Sequence, residues 1–177
     1  MSFMFRSAPR IVCKAGGIAK TGSLMKELGA SRVTIVCDPG IVKLGFAQKA
    51  QDALEAVGIA VQVFSDVEAD PPQKIVEAAI AGARDWKADG VIGLGGGSSL
   101  DSAKLVALLA NSDQTIEEIY GVDKASGDRL PLIQIPTTAG TGSEVTWVSV
   151  ITDNDHLKQV VYTPQLMPDI ALLDAEL

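Results

Sequence analysis

Two short polar stretches hold most of the side chains that could do chemistry. The first is Gly95-Gly96-Gly97-Ser98-Ser99-Leu100-Asp101-Ser102-Ala103-Lys104, and the second is Pro136-Thr137-Thr138-Ala139-Gly140-Thr141-Gly142-Ser143-Glu144. Glycines let a ligand approach the backbone closely. A helix starting behind them offers unpaired N–H groups with the positive end of its dipole. Such a loop suits an anion, and two of them at neighbouring strand ends suit a nucleotide. A carboxylate, Asp38, closes another apolar run, where it can accept both hydroxyls of a ribose and repel an additional phosphate. Each feature also has a plainer reading. Triple glycine is common in turns, Ser98-x-x-Asp101 is a variant capping box, and Asp38-Pro39-Gly40 is an ordinary turn signal. Neither G-x-G-x-x-G nor G-x-x-x-x-G-K-[ST] is present, and Asp38 precedes the glycine stretch instead of following it by about 20 residues. The pairing of the two loops is what favours the ligand reading.

The segments around these loops alternate. Arg32 to Cys37 predicts a strand, Val42 to Val57 a helix closed by Gly58, and Ile59 to Phe64 a second strand. Pro72 can open a helix running to about Trp86. Val91 to Leu94 predicts a third strand, Ser98 to Ala110 its helix, and Leu132 to Ile135 a fourth strand. The expected class is α/β, a doubly wound and mostly parallel sheet with helices on both faces, in which ligands sit outside the carboxyl ends of the strands. The tail differs: Val148 to Thr152, Val160 to Tyr162 and Ile170 to Leu173 read as short strands with turns between. Ile11-Val12-Cys13 reads as an edge strand, available for pairing in a homodimer.

Composition agrees with a buried parallel sheet. Hydrophobic residues make up 47% of 177, aromatics only 5%, and there are 17 glycines. A net charge of −7 speaks against a nucleic-acid partner, since no basic stripe is available to neutralise phosphates. No apolar run has the length of a membrane span, and Met1 to Arg6 lacks the apolar core of a leader. Two cysteines, Cys13 and Cys37, make neither a disulfide framework nor a metal cluster. A soluble, cytoplasmic protein is the simplest expectation.

In order along the chain, Asp38, Gly95 to Lys104, Pro136 to Glu144, and Pro168-Asp169-Ile170-Ala171-Leu172-Leu173-Asp174 resemble the pattern of the iron-containing, group III alcohol dehydrogenases. The resemblance covers nearly the whole chain. It implies a Rossmann-like cofactor domain of the dehydroquinate-synthase-like kind over residues 1–177, followed in the family by a helical domain that this chain lacks. Carried over, Asp38 resembles the ribose-binding acid, Gly96, Gly97 and Ser98 the pyrophosphate cradle, and Thr137, Thr138 and Thr141 the second wall. Asp101 joins the cofactor-binding set, although a capping carboxylate paired with Lys104 explains it equally well. Lys158 matches a lysine that in this family lies near the nicotinamide-side ribose. Where the family often has Asn-Pro, this chain has Asp70-Pro71.

The cofactor so implied is NAD in preference to NADP, and the substrate a small alcohol or aldehyde. The family's Asp and three His that hold Fe2+ or Zn2+ have no counterpart here. His156 is the one histidine, and Asp174 falls upstream of the family's Asp. The chain is thus expected to bind and orient the cofactor, with metal chemistry confined to the complete enzyme. Two alternatives stay open: a maleylacetate- or lactaldehyde-reductase-type reaction on the same fold, and a stand-alone nucleotide-binding module without catalysis.

Overall fold

The computed structural model describes residues 6–177, so Met1 to Phe5, part of the segment read above as lacking a leader core, lie outside the described residues. The strands are β1 (Arg10–Cys13), β2 (Arg32–Val36), β3 (Ala60–Phe64), β4 (Gly90–Gly95), β5 (Gly121–Val122), β6 (Leu132–Pro136), β7 (Val148–Thr152), β8 (Lys158–Tyr162) and β9 (Ile170–Leu173). The helices are α1 (Thr21–Glu27), α2 (Pro39–Lys43), α3 (Phe46–Glu55), α4 (Gln73–Asp85) and α5 (Gly97–Leu109). Six strands form one sheet in the order β3-β2-β4-β6-β9-β1, and every neighbouring pair in it is parallel. The expected class is therefore the observed one.

Alternating side chains feed two cores, one on each face of this sheet. Val33, Ile35, Ile92, Leu94, Ile133 and Ile135 pack with Leu24, Met25, Ala50 and Leu54 from α1 and α3. Val36, Val91 and Leu132 pack with Val76, Ala79 and Ala83 of α4 and Leu105 to Leu109 of α5. Burial on both faces explains why β4 reads as a continuous apolar run, with all six of its residues buried. Helix α5 is buried on nearly every side, because the smaller sheet β5-β8-β7 covers the flank that the main sheet leaves open.

Two local expectations need correction. The helix predicted over Val42 to Val57 is two helices, because Gly45 takes a left-handed φ of 76° and ends α2 before α3 begins. Asp38-Pro39-Gly40 is not a free turn. Asp38 is the N-cap of α2, its Oδ1 accepting from the Gly40 and Ile41 amides at 2.8 and 3.2 Å, with Pro39 at the first helical position. Helix α1 and the 3-10 turn Gly17–Lys20 before it were not anticipated. The tail strands exist as read, but β9 leaves β7 and β8 to enter the main sheet between β6 and β1.

The strand order contains one decisive reversal. From β2 the chain moves outward to β3, then crosses back to β4 on the other side of β2. Adjacent crossovers on opposite faces leave a crevice at the carboxyl ends of β2 and β4. Asp38 follows the first of these strands and Gly95 to Ser99 the second.

Candidate functional site

A cavity of about 390 Å³ occupies that crevice, lined by Asp38, Pro39, Val67, Glu68, Ala69 and residues 96–99. Gly95 makes the turn possible. Its φ of +139° suits glycine, and a Cβ there would come within 2.8 Å of the Ser99 hydroxyl. Ser99 in turn donates to Asp38 Oδ2 at 3.4 Å, so the acid is tied to the helix start. Residue Gly96 is the N-cap of α5 and no side chain caps this helix, which departs from the capping box read at Ser98. The first-turn amides thus keep their donors for another partner. A side chain at Gly97 would press on Thr141, at 3.4 Å from its Cγ2, and one at Gly96 would stand 3.5 Å from Thr138 Oγ1. The two loops face each other across a gap that the absent Cβ atoms leave open.

Beyond the second loop lies another cavity, of about 450 Å³, lined by Cys13, residues 136–140, Glu144 and residues 173–175 and 177. Asp174 at its rim accepts hydrogen bonds from the Gly16 and Ile18 amides at 2.9 and 3.0 Å. Burial works to raise its carboxyl, but the amides of Ile18, Glu176 and Gly16 together outweigh that and hold it below the ordinary value. Asp174 closes the β9–β1 end of the sheet and is engaged by backbone. Among the described residues, no group of three or more His, Cys, Asp or Glu side chains comes together to hold a metal ion. His156 sits exposed in a turn at φ 62°. The donors brought together among the described residues do not fit a catalytic iron or zinc.

The predicted residues fall into three groups. Asp38, Gly96, Gly97, Ser98, Thr137, Thr138 and Thr141 are brought together around the crevice. Asp101 lies one turn further along α5, with both oxygens occupied. Oδ1 accepts from the Ser143 hydroxyl and from Lys104 Nζ at 3.2 Å, and Oδ2 accepts from the Val150 amide at 3.0 Å. The reading of this carboxylate as paired with Lys104 is the one the geometry favours. Lys158 is not drawn in. Its ammonium donates to Asp70 at 2.5 Å and to Thr152 at 3.0 Å. Asp70 has φ 53°, a left-handed conformation that Asn and Asp tolerate better than most non-glycine residues, so an Asn-Pro or Asp-Pro pair suits this bend.

Sequence reasoning missed the depth of Lys104. It is fully buried, its ammonium donating to Val148 O at 2.7 Å, Ser143 Oγ at 2.8 Å and Asp101 Oδ1 at 3.2 Å, with Thr146 Oγ1 also near at 3.4 Å. Burial holds its pKa below the ordinary lysine value, outweighing the opposing effect of Asp101 and, more weakly, of Glu144. Its i,i+3 spacing from Asp101 was visible, but a surface pair has the same spacing. Cys37, also buried, has a thiol pushed up to about 12 by burial and by Asp38, which makes it an inert core residue.

Fold and crevice define a Rossmann-like α/β domain with two loops converging on an anion-ready helix start. The family model described as iron-containing alcohol dehydrogenase matches residues 8–175, and the chain belongs to that family. It is 42% identical to long-chain-alcohol dehydrogenase 1 of Geobacillus thermodenitrificans over 86% of this chain and 39% of that protein. A crystal structure of 1,3-propanediol oxidoreductase superposes with a TM-score of 0.94 at 27% identity, covering 98% of this chain and 46% of that one. Sulfoacetaldehyde reductase from Bifidobacterium kashiwanohense, solved in complex with NAD+, superposes with a TM-score of 0.91 at 31% identity, over 99% of this chain and 47% of its own. The chain spans less than half the length of the curated relatives it matches.

Proposed function

We propose that this chain is the NAD-binding domain of a metal-dependent alcohol dehydrogenase, acting on a small alcohol or aldehyde. The observation that carries the reading is the uncapped start of α5 at the sheet's reversal point, faced by Thr138 and Thr141 and flanked by Asp38. A dinucleotide is the ligand that needs both cavities. The adenosine ribose goes to Asp38, the pyrophosphate to Gly96, Gly97 and Ser98, and the nicotinamide end past Thr137, Thr138 and Thr141 toward the second cavity. A relative of the same fold is known with NAD+ bound, which supports the choice of cofactor. The nicotinamide accepts or gives the hydride, and the residues of this chain bind it, orient it and exclude NADP through Asp38.

In this reading, metal and substrate contacts are assigned to a region of the complete enzyme outside these 177 residues, as the family resemblance implies. Assigning the reaction to alcohol oxidation rests on the family, and the same domain would serve a maleylacetate- or lactaldehyde-reductase-type substrate equally well. A cytoplasmic setting accords with two free cysteines, one of them exposed. Strand β1 has β9 as its one partner among the described residues, so its other edge is the place for pairing with a second copy. Titration with NADH and separately NADPH, read by Trp147 fluorescence, tests the reading. Saturable binding that favours NADH is expected, and binding of neither nucleotide overturns it.

A further inference from the structure

We propose that Lys104 is a positioning residue for the nicotinamide side of the cofactor site, acting through Ser143 to hold the threonine loop against the start of α5. The proposal rests on the cofactor reading above. The second loop leaves β6 with one backbone tie, the Thr137 amide to Gly95 O at 3.0 Å, and then becomes exposed from Thr138 to Thr141. It is caught again only at Ser143, which is buried. That catch is not a simple turn. The Ser143 hydroxyl accepts from Lys104 and donates to Asp101, Lys104 reaches on to Val148 O, and Asp101 receives the Val150 amide. Ser149 Oγ adds a bond to Asp101 O at 3.0 Å.

All of these partners lie on α5 or on the segment leaving the loop, and none lies at the Asp38 end of the crevice. The knot therefore fixes the exit of the loop relative to the helix whose amides face the ligand. An exposed tip pinned at both ends keeps Thr138 opposite Gly96 and Thr141 opposite Gly97. Release at Ser143 would let the tip move away from the glycines, while Asp38, held by its own cap bonds and by Ser99, would stay in place. A tie that served only to stabilise the fold would affect both ends of the cofactor alike.

The full chain with Lys104→Met, which keeps the apolar stem and removes the ammonium, separates the two cases. The dissociation constants of NADH and of AMP are measured for it and for wild type. AMP engages Asp38 and, through its single phosphate, the first-turn amides of α5, and does not reach the nicotinamide side. NADH binding is expected to weaken about tenfold or more with AMP unchanged within about twofold. Ser143→Ala, a smaller change that serves if Lys104→Met does not fold, is expected to weaken NADH in the same sense with AMP again unchanged. Equal loss of both nucleotides, or loss of neither, overturns the positioning role. Wild-type chain that binds neither nucleotide overturns the cofactor reading itself, and with it the ligand that Lys104 is proposed to serve.

Discussion

The two loops of the crevice achieve the same closeness to each other by opposite means. The glycine loop is short and held by regular structure, since β4 ends at Gly95 and α5 starts at Gly97, with both elements buried. Its position follows from the backbone alone, and its side chains are nearly absent. The threonine loop is longer, and its tip is exposed. Its exit is tied to α5 by the buried Lys104 ammonium and the partly buried Asp101 carboxylate. A loop defined by backbone geometry is vulnerable to added bulk. A loop held by a largely buried polar knot is vulnerable to loss of one partner, because the groups left behind lose a hydrogen bond while still mostly desolvated.

Adding bulk to the first loop should have the largest effect on binding. Gly97→Val places branched carbon where Thr141 already stands at 3.4 Å from an ideal Cβ, and it crowds the ligand's approach to the first-turn amides. NADH affinity is expected to fall by about 100-fold or more with the sheet still folded. Retained affinity, measured by the same fluorescence titration, would place the cofactor elsewhere.

A smaller effect is expected at Asp38, where charge and cap can be separated. Asp38→Asn keeps a good N-cap for α2 and removes the negative charge, whereas Asp38→Ala removes both and should cost about 1 kcal/mol of stability. Asparagine should lower the preference for NADH over NADPH by about tenfold at unchanged thermal stability. An unchanged ratio would restrict Asp38 to its capping role. Lys158 should matter least. Its partner Asp70 is exposed, and exposed pairs contribute about 0–1 kcal/mol, so Lys158→Ala is expected to change NADH affinity by less than about twofold. A tenfold loss would instead draw this lysine into the site on cofactor binding.

Local pattern made much of this legible. Apolar runs ending in glycine or aspartate gave the strands β2 and β4 and the loops after them, because a doubly buried parallel strand needs continuous apolar residues and a tight exit. The three-part cluster of Asp38, glycines and threonines was readable for the same reason: each member follows a strand. Lys104 was not, since an i,i+3 pair at the surface and one at full burial look alike until the smaller sheet is laid over α5. Lys158 shows the opposite case. The family resemblance placed it near the cofactor, and in this structure its side chain meets Asp70, 88 residues away in sequence.

By itself, the sequence determined the α/β class, the alternation of strand and helix, and the two loops with their chemistry. Those depend on residue type and on spacing within a few positions. Only the tertiary structure decided that β9 enters the main sheet beside β6, that Asp38 doubles as a helix cap, and that Ser143 locks onto α5. These depend on which distant segments share a buried volume, and hydrogen bonds inside such a volume are chosen by packing, not by neighbours along the chain.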